Sequence, residues 1–256
     1  MVTAVIPCGG QGTRIAAVAR GLPKELLPVA GKPLLEWTLA EAAAAGLTRA
    51  VVVSSPDKAP ALEAHVTARP PAGLSAVVVL QPQPRGLGDA ITCARAAVGT
   101  DDVALLLPDN LFARGPAILP VLDARRRTGR AAVLLAEIRA RDAATKGATG
   151  RVRCRARPDG LLDVEDLADK GAKGGRFDPG DAPSALTAIG RMAFGPDIFD
   201  LLEDIRGTQA ADADLDDVPA LQRLARGGRL VGVLAAGPFY DVGVPEGYAD
   251  ALARLT

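Results

Sequence analysis

Thr3-Ala4-Val5-Ile6-Pro7-Cys8-Gly9-Gly10-Gln11-Gly12-Thr13-Arg14 is a short apolar run that breaks into a glycine turn and then into residues of helical character. An apolar run bounded by turn residues suits a strand buried on both faces, as in a parallel sheet. Glycines let backbone N–H groups approach phosphate oxygens, and a helix N-terminus beyond them adds positive potential. Gly9, Gly10, Gly12 and Thr13 are therefore candidate phosphate-binding residues, the alternative being a tight strand-to-helix turn with no ligand. Spacing sets two familiar loops aside. A Walker loop needs Lys-Ser/Thr directly after its last Gly, where Thr13-Arg14 stands, and a dinucleotide fingerprint needs a small residue where Ile15 stands.

Outward from this stretch, β-rich runs alternate with segments of helical period to about residue 138. That alternation predicts an α/β fold with a doubly wound, mostly parallel sheet. The expected strands are Thr3–Pro7, Arg49–Ser54, Ser75–Gln81, Val103–Pro108 and Arg130–Glu137, with a helix at Pro33–Ala45 that stops at Gly46. After Ala140 glycines and alternating charges predict a small β-rich lobe: a hairpin of Gly150–Arg157 and Leu161–Leu167, then a mobile loop at Lys170–Pro183. Leu186–Phe194 and Arg229–Ala235 read as strands, and Gly195–Ile205, Asp216–Arg226 and Pro245–Leu255 as helices. One domain is expected over residues 1–256, with a first half of residues 1–138 and a second, closing half of residues 139–256.

Thirty Lys+Arg balance thirty Asp+Glu, so no overall field favours nucleic acid or an anionic membrane. No apolar run reaches the ~18–20 residues of a membrane span and the N-terminus lacks a signal peptide's features, so a soluble cytoplasmic protein is expected. Cys8, Cys93 and Cys154 are odd in number and far apart, with His65 the single histidine, which argues for reduced thiols rather than a disulfide or zinc site. Cys8 is expected to be a buried filler.

Ala104-Leu105-Leu106-Leu107-Pro108-Asp109-Asn110 reads as a buried strand that ends in an acid. Ligands of doubly wound folds bind at the carboxyl ends of such strands, and a carboxylate with phosphate oxygens is the usual way to hold Mg²⁺. Asp109 is thus the strongest single candidate.

The glycine turn is followed by Pro23-Lys24-Glu25-Leu26-Leu27-Pro28 and then Gly31-Lys32-Pro33-Leu34-Leu35 at a helix start. In this order the three segments resemble the bacterial UTP:glucose-1-phosphate uridylyltransferases and related sugar-1-phosphate nucleotidyltransferases. The resemblance implies that Arg14 and Lys24 hold a triphosphate, that Gln81 and Gly86 in Gln81-Pro82-Gln83-Pro84-Arg85-Gly86-Leu87-Gly88 read a pyrimidine, and that Asp241 in Tyr240-Asp241-Val242-Gly243 joins Asp109 on Mg²⁺. It also implies that Gly150 and Asp169 face the acceptor and that Lys170 holds the acceptor phosphate. Three positions depart from the family pattern: Asp169 replaces Glu, Gly171 replaces Pro, and Ala185 stands where an Asn is expected.

The activity so implied joins an NTP, UTP or dTTP being favoured, to a sugar 1-phosphate and releases pyrophosphate. Arg14, Lys24, Asp109 and Lys170 form the expected catalytic set. The departures keep a cytidylyltransferase for a non-sugar phosphate or phosphonate open, and a nucleotide-sugar sensor without catalysis is the alternative of another class. The acceptor, pathway and regulation stay open, as does assembly into a homo-oligomer.

Overall fold

The computed structural model describes residues 1–171, 175–210 and 212–255. Its strands in the first half are β1 (Val2–Pro7), β2 (Pro28–Val29), β3 (Lys32–Pro33), β4 (Arg49–Ser54), β5 (Ser75–Leu80), β6 (Asp102–Leu106) and β7 (Asn110–Phe112). The second half adds β8 (Ala131–Arg139), β9 (Val152–Ala156), β10 (Leu162–Leu167), β11 (Ser184–Phe194), β12 (Leu230–Leu234) and β13 (Phe239–Asp241). The helices are α1 (Ala16–Ala19), α2 (Leu34–Ala44), α3 (Ala59–Ala68), α4 (Leu87–Cys93), α5 (Arg95–Val98), α6 (Leu119–Thr128), α7 (Ile198–Thr208), α8 (Val218–Arg226) and α9 (Pro245–Arg254).

Among the described residues nine strands form one sheet in the order β5-β4-β1-β6-β11-β8-β12-β10-β9. β5, β4, β1 and β6 are parallel, as the alternating pattern predicts, and β12 runs parallel to β8. β11 enters between β6 and β8 antiparallel to both, and the β9–β10 hairpin extends the far edge through β12. The β-rich lobe thus continues the main sheet. The central strands are mostly apolar, as faces covered on both sides require, with Thr3 of β1 and Thr187 and Arg191 of β11 among the buried exceptions. One layer packs Leu35, Leu39, Leu62, Val121 and Ala124 against the sheet; the other packs Ile91, Phe199, Leu202, Leu221 and Leu224.

The stop after α2 follows from Gly46, whose φ of 80° lets its N–H reach Ala43 and that of Leu47 reach Ala42. Other boundaries move by a few residues: the helix expected from Gly195 begins at Ile198, and the one expected from Asp216 begins at Val218. Helices α3, α4 and α6 fill segments between strands to which the sequence pattern assigns no bounds, and the short ladder β7–β13 has no counterpart among the expected strands. Part of the loop expected at Lys170–Pro183, residues 172–174, lies outside the described residues. Its described part is anchored by Phe177, which is buried beside Ala185 and Ile138 and donates its N–H to the Lys146 carbonyl.

Candidate active site

The carboxyl ends of β1, β4 and β6 open on one side of the sheet, where Gly9 meets Gln81 and Lys24 links the Gly12 turn to Asp109. Gly12 takes a left-handed φ of 64° to turn the loop after β1, and the stem of Lys24 lies 3.5 Å from the position its Cβ would fill. At Gly9 a Cβ would collide with the Gln81 amide oxygen. Thr13 and Arg14, both exposed, begin a short 3₁₀ turn that ends on the buried Ile15. Cys8 is fully buried, and burial followed by the charge of Glu25 raises its thiol well above the ordinary range, consistent with an inert filler.

Asp109 sits just past β6. The β7–β13 ladder sets Asp241 opposite Asn110, and the Val242 N–H reaches the Asp109 carbonyl at 2.8 Å. Two acids far apart in sequence are thereby brought together: a Cβ on Gly243 would lie 3.0 Å from Asp109 Oδ2 and 3.1 Å from Asp241 Oδ1. Lys24 Nζ donates to Asp109 Oδ2 at 2.5 Å, while Asp241 accepts from the Gly147 and Gly243 N–H groups at 2.7 and 3.1 Å. Burial works against the charge of Asp109, but Lys24 and then Arg14 outweigh it and hold the carboxyl below its usual range. Asp241 is pushed up, first by burial and then by the negative charge of Asp109. Arg14 lies against Gly147, where any Cβ would strike its guanidinium, and it makes no ion pair among the described residues.

Two half-buried carboxylates that repel each other suit a hard divalent cation. Among the described residues no cluster of three His, Cys, Asp or Glu offers a complete protein shell. Substrate phosphates and water would have to finish the coordination, which is how Mg²⁺ is usually held. Asp109 and Asp241 fit that ion.

Gln81 is buried, so it is no solvent-facing loop amide. Its Nε2 donates to the Gly86 carbonyl at 3.0 Å and to Asp89 Oδ2 at 2.8 Å. Gly86 has a φ of 98°, and a Cβ there would run into the Leu215 carbonyl, so tight packing on the segment before α8 already requires glycine. Gly150 is required in the same way by the close passage of the Ala168 carbonyl.

Lys170 donates to Asp216 and Asp217, both at 2.7 Å, and these carboxylates outweigh burial and raise its ammonium above the ordinary range. Burial pushes Asp217 up to about 6 in spite of Lys170. Asp169 accepts from Gln222 of α8 at 2.9 Å, whereas Ala185 packs in the apolar layer with Phe177. The two departures therefore do not share a wall: the residues belong to opposite faces of the sheet.

Sequence patterns missed the buried cations Lys58, Lys146 and Arg191, of which Lys58 and Arg191 support the loops of the site. Lys58, just before α3, donates to the carbonyls of Cys8 and Gly10 in the glycine loop and to Glu25 at 3.2 Å. Glu25 is fully buried, and burial raises its carboxyl despite Lys24 and Lys58. Lys58→Met leaves that acid without its closest cation, so a loss of about 3–5 kcal/mol is expected by urea denaturation. Glu25→Leu added to it is expected to recover most of the loss; a single variant as stable as wild type would contradict the pairing. Arg191 of β11 is 1% exposed, forms a two-pronged pair with Glu41 at 2.9 and 2.6 Å, and donates to the carbonyls of Leu107, Gly190 and Asn110. It clamps the turn that carries Asp109.

A groove lined by Met1, Leu47 and Leu119 lies at the opposite ends of the strands, where Arg125 pairs with Asp102 and Arg126 with Asp123. It offers no converging set of free polar groups.

The chain is similar to known proteins over nearly its whole length. The chain is 29% identical over 271 residues to a UTP–glucose-1-phosphate uridylyltransferase of Pseudomonas aeruginosa, covering 96% of this chain and 93% of the relative. It is 27% identical over 266 residues to one of Bacillus subtilis, covering 96% and 87%. Its fold matches a crystal structure of a UDP-glucose pyrophosphorylase complexed with UDP-glucose at a TM-score of 0.81 and 24% identity, over 100% of this chain and 98% of that one. The model of the nucleotidyl transferase family matches residues 3–256, and the chain belongs to that family.

Proposed function

We propose that the protein condenses a pyrimidine nucleoside triphosphate, UTP or dTTP, with a sugar 1-phosphate to give a nucleotide sugar and pyrophosphate. The observation that carries this reading is the convergence of Asp109, Asp241, Lys24 and Arg14 beside the glycine loop. The names of the relatives support it.

Loop N–H groups and Arg14 receive the triphosphate, and Lys24 turns from Asp109 to a phosphate oxygen. Asp109 and Asp241 would hold Mg²⁺, which would supply neutralisation of phosphate charge. The acceptor phosphate is already ionised, so its oxygen attacks the α-phosphorus in line without a general base, and the α–β bridging oxygen leaves with pyrophosphate. Lys24 and Arg14 stabilise the charge that gathers on the leaving group; positioning supplies the rest of the rate.

Lys170 shares its charge between Asp216 and Asp217 until an acceptor phosphate competes for it. Lys170→Ala is expected to raise the acceptor KM or lower kcat while leaving the affinity for NTP alone nearly unchanged, because the contact forms only with the second substrate. Equal kinetics with wild type would remove Lys170 from the site. Asp169 is held by Gln222 and Ala185 lies in apolar packing, so few side chains remain to read hydroxyl groups there. The acceptor range is accordingly broad, or centred on a sugar other than glucose. A panel of NTPs against sugar 1-phosphates and non-sugar phosphates, read by pyrophosphate release, tests the function. Turnover confined to CTP with a non-sugar phosphate, or none with any pair, would overturn it.

A further inference from the structure

Gln81 spends both N–H bonds inside the protein. The Gly86 carbonyl and the Asp89 carboxylate are acceptors only, so the group facing them at 3.0 and 2.8 Å must be the NH₂ end of the amide. The carbonyl end, Oε1, is left against Gly9 of the nucleotide loop, and no donor meets it among the described residues although the side chain is 3% exposed. Asp89 in turn does not swing freely. Its other oxygen, Oδ1, accepts from Arg206 of α7 at 2.8 Å, and Arg206 also reaches Thr92 Oγ1 at 3.0 Å.

From this chain of contacts we infer that Asp89, held by Arg206, is a positioning residue that sets nucleobase choice by locking Gln81 to present only an acceptor. The inference rests on the proposed reading of Gln81 as the base-contacting residue. A locked acceptor suits a base edge with a ring N–H at its centre, as N3–H of uracil or thymine. It opposes an edge with a lone pair there, as N3 of cytosine. UTP and CTP have the same size, so their ratio isolates this effect from the shape of the pocket.

Asp89→Asn is the informative substitution. Arg206 still demands an oxygen, which turns the new NH₂ toward Gln81 Nε2 and sets donor against donor. The Gln81 amide then meets a donor on the Asp89 side and an acceptor at Gly86, and neither orientation is locked. The kcat/KM ratio of UTP to CTP is expected to fall by about ten-fold or more, the scale of one hydrogen bond to a charged group. Arg206→Met, at a partly exposed position, leaves Asp89 in place but unanchored and is expected to lower the ratio by a smaller factor, about three-fold. A purely structural role for either residue would depress both nucleotides alike, and a ratio unchanged in both variants overturns the inference. A wild type that does not discriminate UTP from CTP at all overturns it together with the reading of Gln81, so the two failures are told apart by the wild-type ratio.

Discussion

Asp109→Asn is expected to lower kcat by roughly three orders of magnitude while the protein stays folded. The side chain is nearly the same size, and the Asn110 turn is fixed by other contacts, among them those of Arg191 and of Val242. What the change removes is charge. Asp109 balances Lys24 at 2.5 Å, and its carboxylate converges with that of Asp241 beside Gly243. The substitution leaves Lys24 without its partner and any metal with half its protein ligands. Pyrophosphate release measured beside thermal denaturation separates the two effects. A rate within about ten-fold of wild type would remove Asp109 from the chemistry, since that is less than one preorganised contact to a reacting phosphate is worth.

Arg191→Met is expected to cost about 3–5 kcal/mol of stability, the scale for breaking a buried pair by removing one partner. Glu41 would keep a charge next to the Ile118 N–H with its strongest counter-charge gone, and the carbonyls of Leu107, Gly190 and Asn110 would lose a shared donor. Lysine cannot replace it, because one ammonium does not span a carboxylate and three carbonyls as a planar guanidinium does. The guanidinium also lies 4.6 Å from the Phe112 ring, adding a cation–π contact. Chemical denaturation of Arg191→Met and Arg191→Lys gives the measurement, and either variant within about 1 kcal/mol of wild type would contradict this account.

Fold and site were legible to different depths. Apolar runs such as Val51–Val53 and Ala104–Leu106 have no partner except a sheet covered on both faces, so the parallel core could be read directly. The insertion of β11 between β6 and β8 could not, because strand order depends on long-range pairing that leaves no mark on local periodicity. Asp109 was visible from its own strand, but Asp241 needed the three-residue ladder β7–β13 to bring it near, and resemblance alone pointed to it. Gly86 and Gly150 look like ligand-contact glycines in sequence, yet the Leu215 and Ala168 carbonyls already demand them. Lys58, Asp89 and Arg191 escaped notice because a lone charge inside a mixed segment looks like any surface charge. Only the tertiary structure shows that Lys58 lies under the glycine loop and that Asp89 holds a buried amide.

The central claim is transfer of a nucleotidyl group to a sugar phosphate at the mouth of β1 and β6. Phosphorus NMR of the protein with UTP, glucose 1-phosphate and Mg²⁺ tests it most directly. The account predicts the growth of a diphosphodiester signal from the nucleotide sugar together with one equivalent of pyrophosphate, both absent when either substrate is omitted and both lost with Asp109→Asn. Orthophosphate released from UTP without a diphosphodiester, or unchanged spectra with this and every other sugar 1-phosphate tried, would contradict it.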